Sequence, residues 1–455
     1  MVNVKETHVV KPAEETPSKI MYVSDIDQIY PITHAPTIYV YRSPSFSSFP
    51  IMMETLKHSL SKALVIFYPF AGRLQWTHRN RLQINCNSLG AHILEAETDA
   101  RIDDFAPDYY RPTSAVRDLI PSVDYNRPIE DLPLVLVQLT KFSCGGVTLG
   151  LGLSHILADG QSALHFISEW VRIARGEGPE YPPFLDRTVL VQDQEDLDLP
   201  ADFDASDYKQ PPLMIGSLNN IEERLKESDV LMLRLSREQI DKLRSKANEE
   251  KKRLGHLDRG FTRFEVVAGH MWRTACKARK HMETQETAFR MVVNFRNRVK
   301  PPLPKFYFGN AILPVIASST SGELVSMPLS YAAGKIRAAT EKVMDGYVKG
   351  AAVFLKKQED LSQWRYLHVV GTTEGSFYGN PNMSTTSWMT LPNLKGGTDF
   401  GWGEEDHFGP GAVGFDGKSF ILSDKSRPGS VVVALRLHVA HMEDFRTFFY
   451  EDILN

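Results

Sequence analysis

A histidine followed four residues later by an aspartate, His155-Ile-Leu-Ala-Asp159-Gly160, is the first place where residue types and spacing suggest chemistry. An imidazole near its ordinary pKa accepts and returns a proton at neutral pH, so His155 is a candidate general base. Spacing alone leaves an alternative, a histidine that bonds the turn while Asp159 caps a helix beginning near Gln161. With 14 histidines in the chain, about one such spacing arises by chance, so the motif needs company. Metal ligation is not expected, because no third ligand stands at a useful spacing. The second place is Asp399-Phe400-Gly401-Trp402-Gly403. Two glycines beside two aromatics imply a tight turn held against a packed surface, its aspartate paired with an arginine. Arg296 and Arg298, in Asn294-Phe295-Arg296-Asn297-Arg298, are candidates for that partner, and two exposed surface arginines are the alternative.

The elements that must hold these residues are visible as periodicities. Thr37–Arg42 reads as a strand, and Leu56, Leu60, Ala63 and Leu64 mark one face of a helix after Pro50. Pro133–Phe142 is an apolar run, Ser143–Gly146 is turn-like, and Val147, Leu149, Leu151 and Leu153 alternate, which predicts a β-hairpin. Past Asp159-Gly160 the period becomes helical through Ala163, Phe166, Ile167, Trp170 and Ala174, with Gly176 as C-cap. The hairpin therefore delivers His155 straight into a helix. Farther on, Phe264–Lys280 reads as a buried helix, Ala311–Ile316 and Gly429–Val439 as strands, and Phe445, Phe448 and Phe449 as the apolar face of a C-terminal helix.

A length of 455 residues is too great for one core and implies two or more domains at roughly 100–200 residues each. Seven acidic residues between Asp193 and Asp207, bordered by prolines, read as an exposed, self-repelling connection. This predicts an N-terminal domain over 1–190, a crossover linker over 191–215 and a C-terminal domain over 216–455. Apolar content of 42% and charged content of 24% are those of a globular protein. The balance of 52 basic and 56 acidic residues offers no field for phosphate backbones, so a nucleic-acid partner is not expected. The charged N-terminus lacks a signal-peptide core, and no apolar run approaches 18 residues, so no membrane association is expected. Three cysteines without CxxC spacing point to reduced cytoplasm rather than a disulfide or zinc framework.

Taken together, HxxxD-Gly after a strand, Asp399–Gly403 in that order and distance, Tyr68-Pro-Phe-Ala-Gly-Arg73, and the Arg-x-Arg…Pro-Pro-Leu-Pro…Tyr307-Phe308-Gly309-Asn310 block resemble the plant BAHD acyl-CoA-dependent acyltransferases over the whole chain. Within that family, segments 33–42, 152–169, 354–361 and 440–453 look most like spermidine hydroxycinnamoyl transferases. The resemblance implies a mixed α/β fold like that of chloramphenicol acetyltransferase: two domains with flanking helices, and a solvent channel between them. The segment near 391–414 would pack with the first domain. It also implies a monomer using acyl-CoA as cosubstrate, with no permanently bound cofactor and no metal. His155 would deprotonate the acceptor as it attacks the thioester, with no covalent intermediate.

Asp159, Gly160, Asp399, Gly401, Trp402, Gly403, Arg296 and Arg298 would be structural, Asp159 pairing with an arginine. Asn294 departs from the aspartate many relatives carry, which leaves the arginine roles open. Thr386 and Trp388 match a Thr-Ser-Trp segment whose threonine and tryptophan contact the thioester or acceptor. His34, Thr37 and Tyr39 match acceptor-side positions, and Thr262 and Arg263 match the coenzyme A side. Shikimate-using relatives hold the acceptor carboxylate with an arginine where this chain has Thr373, followed by Glu374. With Glu404, Glu405 and Asp406 after the second motif, this suits a polycation, so the implied reaction is hydroxycinnamoyl transfer to spermidine. An O-acyltransferase for shikimate, quinate or another alcohol is the alternative.

Overall fold

The computed structural model describes residues 1–44, 48–105, 109–190, 199–200, 203–255, 259–365, 376–391 and 398–454. Thr373 and Glu374 lie outside the described residues, as do parts of the proposed linker (191–198 and 201–202) and of the 391–414 segment (392–397). Among the described residues, no helix is long and apolar enough to cross a membrane.

Two six-stranded mixed sheets carry the described architecture. The first runs, edge to edge, through Asn3–Val10, Ala91–Thr98, Val135–Phe142, Val147–Ser154, His34–Tyr41 and His407–Pro410. The second runs through Ile312–Thr320, Glu286–Asn294, Met383–Ser387, Lys418–Ser423, Val431–His438 and Ser228–Leu235. Parallel pairs occur in both, between Ala91–Thr98 and Val135–Phe142 in the first, and flanking Met383–Ser387 in the second. A short third sheet joins Ile20–Tyr22, Leu82–Asn85 and Arg73–Trp76.

The periodicities become the expected elements. Helix Phe49–Ile66 buries Leu56, Leu60, Ala63 and Leu64 completely. The hairpin pairs Val135–Phe142 with Val147–Ser154, and Gly145 in its turn takes a φ of +86°, which a glycine adopts without Cβ strain. Helix Gly160–Ala174 is N-capped by Asp159, whose carboxylate accepts the Ser162 amide at 2.9 Å, and Gly176 beyond its end has φ +77°. Helix Arg263–Arg279 opens on a reciprocal capping box of Thr262 and Glu265.

The acidic connection differs from its expected character at its C-terminal end. Asp207 is 3% exposed, accepts the Ile316 amide at 2.7 Å, and meets the Tyr347 hydroxyl and the Lys342 ammonium. A carboxylate with three partners is an anchor, because a buried charge is tolerated only when it is paired. Composition alone does not distinguish this residue from its solvated neighbours.

Candidate active site

His155 leaves the end of strand Val147–Ser154 on a turn held from both halves of the chain. Its amide donates to Thr33 O at 3.2 Å, and its carbonyl accepts Asn310 Nδ2 at 2.9 Å. Tyr30 stacks on the imidazole, with centroids 5.1 Å apart and planes 4° from parallel, while the Tyr30 hydroxyl donates to Ile312 O at 2.6 Å. Its Nδ1 is buried without a hydrogen-bond partner. Burial lowers the imidazole pKa below its ordinary value; the backbone and the Asp159 charge oppose it, and the charge of Lys418 adds to it. The ring is therefore fixed in plane and neutral, which is the state a general base requires.

Asp159 acts on the imidazole only through its charge, which favours the protonated ring against burial. It points into a bidentate pair with Arg296, at 2.7 and 3.0 Å, and accepts the Ala311 amide at 3.0 Å. Burial opposes its charge, yet Arg296 and the amides outweigh it and hold the carboxyl below its usual range. Arg296 also donates to Ser162 Oγ at 2.9 Å and Gly309 O at 3.2 Å. A second buried pair, Arg187 with Asp27 at 3.2 Å, braces the same turn: Arg187 donates to Leu157 O at 2.7 Å, and Asp27 receives the Asn310 amide at 2.7 Å. Tyr30, Asp27, Arg187 and Asn310 escape a sequence reading. Asn310 had a signal, since it closes the Tyr-Phe-Gly-Asn block.

On the second sheet, Thr386 Oγ1 accepts a hydrogen bond from Lys418 Nζ at 2.8 Å. Lys418 is 5% exposed; burial, then repulsion by Arg290, pulls its pKa down to about 7. Trp388 stacks on Phe408 (5.2 Å, 10°), and Phe408 stacks in turn on Tyr39 (4.7 Å, 20°). The strand pairing Phe408↔Tyr39 sets that ladder, so an expected acceptor-side residue and an expected catalytic one share one aromatic support. Tyr39 itself is 2% exposed, and its hydroxyl finds no partner.

The second motif corrects an expected pairing. Asp399 does not pair with Arg296 or Arg298. Its Oδ1 accepts the amides of Gly401 and Gly403, both at 2.8 Å, and those glycines take φ of +102° and +105°. The aspartate thus closes a turn whose backbone lies in glycine's region. Arg298 serves the carbonyls of Thr340 and Val343 at 2.7 and 3.2 Å. Phe400 packs on Trp170 (4.8 Å) and Trp402 packs edge-on to Tyr41 (5.9 Å), so the motif leans on the N-terminal half. Asn294 instead bonds Gln161 Oε1 at 2.7 Å and the Arg296 amide at 3.0 Å.

The remaining expected residues are dispersed. His34 donates from Nε2 to Pro133 O at 2.7 Å and accepts the Tyr125 hydroxyl on Nδ1 at 3.0 Å; burial lowers its pKa to about 4. Thr37 pairs with Leu151 and Pro410 in the first sheet. Gly160 is the first residue of its helix and faces Leu391. Thr262 serves as a cap, and Arg263 bonds Gly429 O. Glu404 is exposed. Glu405 is buried against Lys425 and the Thr398 hydroxyl, and Asp406 accepts the Arg42 amide at 2.7 Å. Glu405 is therefore committed within the fold, while Asp406 stays exposed with its charge. Among the described residues, Glu6, His8 and Glu95 are the one group whose ligand atoms lie within 4.8 Å of one another; all three sit on paired strands of the first sheet's edge.

A family model described as "Transferase family" matches residues 1–452. Hydroxycinnamoyl-CoA:piscidic acid hydroxycinnamoyltransferase of Actaea racemosa is 45% identical over 100% of both chains. Shikimate O-hydroxycinnamoyltransferase of Nicotiana tabacum is 38% identical over 99% of each. In structure, vinorine synthase aligns at a TM-score of 0.72 and 22% identity, covering 98% of this chain and 96% of its own. F. graminearum TRI101 complexed with coenzyme A and T-2 mycotoxin aligns at 0.76 and 15% identity, covering 94% and 96%. An unencumbered histidine on a doubly braced turn, two mixed sheets and full-length likeness agree: the chain belongs to the Transferase family of BAHD acyltransferases.

Proposed function

We propose that this chain transfers a hydroxycinnamoyl group from its coenzyme A thioester to a small-molecule acceptor, with His155 as general base. The observation that carries this is the isolation of His155. Its acidic neighbour is paired with Arg296, its ring is clamped by Tyr30, and its buried Nδ1 has no hydrogen-bond partner. In this reading the 1–190 and 216–455 units supply the two walls of the site.

His155 takes the acceptor's proton as the acceptor heteroatom attacks the thioester carbonyl. The tetrahedral intermediate collapses with cleavage of the carbon–sulfur bond, and the imidazolium returns the proton to the thiolate. Because Lys418 donates to Thr386 Oγ1, the threonine's own O–H is left to donate to the developing oxyanion. A well-placed donor of that kind is worth roughly 2.7–4 kcal/mol of barrier.

Of the two acceptor classes, the hydroxyl-bearing one is better supported. The spermidine reading drew on an acidic surround. Glu405 is neutralised by Lys425, Asp406 is tied to the Arg42 backbone, and the charge beside Thr386 is a lysine. Exposed Glu404 and Asp406 remain in its favour, and Glu374 lies outside the described residues. The test incubates the protein with p-coumaroyl-CoA and spermidine, putrescine, agmatine, shikimate or quinate, following free thiol and product mass. Acylated hydroxyl acceptor from wild type, and none from a folded His155→Ala, is the expected result. Turnover undiminished in His155→Ala would remove the proposed base.

A further inference from the structure

Three neighbouring strands of the second sheet place Arg290, Ser384 and Lys418 side by side. Arg290 pairs with Ser384 across one parallel ladder, and Ser384 pairs with Lys418 across the next. Register partners share a face, so the three side chains leave the sheet on one side, the outer two separated by about 10 Å of backbone. All three are buried, at 5%, 1% and 5% exposure. Among the described residues the Arg290 guanidinium has neither hydrogen bond nor ion pair, and the Tyr378 ring lies 5.5 Å from it. Lys418 has the neutral Thr386 hydroxyl, and no carboxylate. Ser384 Oγ, between them, is a buried hydroxyl with no partner.

Two buried cations that repel each other, flanking an unsatisfied hydroxyl, are costly for a fold unless an anion arrives. The other buried arginines that brace the site, Arg187 and Arg296, each have a carboxylate. Their distance from the reacting centre is short enough for charge to be felt: Lys418 bonds Thr386 and depresses the imidazole of His155, and Arg290 acts on Tyr30, the ring stacked on His155.

We propose that Arg290, Ser384 and Lys418 form the anion subsite of the acceptor, and that the acceptor is therefore a hydroxy acid whose carboxylate is held there while its hydroxyl meets His155. This rests on the acyl-transfer reading above and names its substrate class. It also moves the carboxylate contact away from position 373, where the shikimate-using pattern would put an arginine and this chain has threonine.

A lysine with a pKa near 7 adds a readout. The charged and titratable groups facing it are Arg290 and His155, with Thr386 as its neutral partner. A carboxylic acceptor stays ionised above neutrality while Lys418 loses its proton, so the acceptor KM should climb from pH 7 to 9, and should stay flat in K418R.

The test is steady-state kinetics with p-coumaroyl-CoA and the acceptors shikimate, L-malate, piscidic acid, methyl shikimate and spermidine, on wild type, R290Q, K418M and K418R. The expected result is turnover of at least one free acid. R290Q and K418M then raise its KM at least tenfold, leave the KM for p-coumaroyl-CoA unmoved, and lose less on the ester; K418R retains the acid. If R290Q fails to fold, K418M against K418R carries the comparison. Equal losses of kcat on acid and ester with KM unchanged would overturn the subsite, as would a wild type that acylates spermidine or the ester but no acid. A wild type that consumes p-coumaroyl-CoA with none of these acceptors, and gains no thermal stability from it, fails the parent reading instead.

Discussion

At the scale of single residues, neutrality is what His155 needs, and burial is what enforces it. Burial and, to a smaller extent, the Lys418 charge outweigh the backbone, Asp159 and Asn310, which favour the imidazolium, so the pKa lies below the ordinary 6.5. A protonated ring cannot accept a proton, so kcat/KM for p-coumaroyl-CoA at saturating acceptor should fall as pH drops through that lowered value. Lys418→Met removes one of the two causes, and its acid limb should move to higher pH. A profile from about pH 5 to 8 on both proteins checks this; an unmoved limb would detach Lys418 from His155. Asp159 gives a second prediction. Replacing it by asparagine leaves Arg296 buried without its counter-charge, a loss of about 3–5 kcal/mol, read as a lowered urea midpoint. A variant as stable as wild type would mean that the pair contributes little to the turn.

The same scale shows what a linear reading can reach. His155 and Asp159 are legible because both belong to one short turn. Lys418 follows a glycine at the start of a strand and looks like any surface lysine; only the pairing of Met383–Ser387 with Lys418–Ser423 brings it to Thr386. Arg290 is hidden the same way. The charge argument built on Glu404, Glu405 and Asp406 counts three free carboxylates because sequence cannot show that Lys425 already neutralises Glu405.

At the scale of elements, the helix Gly160–Ala174 is readable from both ends, because cap, stripe and terminal glycine are local. The strand His407–Pro410 is not: four residues ending in proline carry no alternation, and the strand exists because it completes the edge beside His34–Tyr41. Its partner feature is the packing of Phe400, 1% exposed, against Trp170 of that helix. Phe400→Ala should cost about 3–5 kcal/mol, the range for a buried aromatic truncated to alanine. Denaturant titration measures it; a loss under 1 kcal/mol would mean that the surroundings collapse to fill the cavity.

At the scale of the whole molecule, the two halves are joined by more than a linker. Asp159–Arg296 and Asp27 with Asn310 cross between them, as do the Tyr30 hydroxyl on Ile312 O, the Tyr41 hydroxyl on Thr398 O, and Arg365 on Gln28 O at 2.8 Å. These are buried or part-buried polar contacts, and separating the halves would part Asp159 from Arg296, the counter-charge that makes its burial tolerable. A length that implies two domains would ordinarily imply two unfolding events. Here the first sheet takes its edge strand from residues 407–410, so the N-terminal half on its own would expose the His34–Tyr41 ladder edge. Thermal or urea unfolding of the full chain should therefore show one transition, coincident by far-ultraviolet dichroism and tryptophan fluorescence. A fragment ending at residue 190 should be aggregated or unfolded. Two resolved transitions, or a soluble cooperative 1–190 fragment, would show that the crossing contacts are weaker than the cohesion within each half.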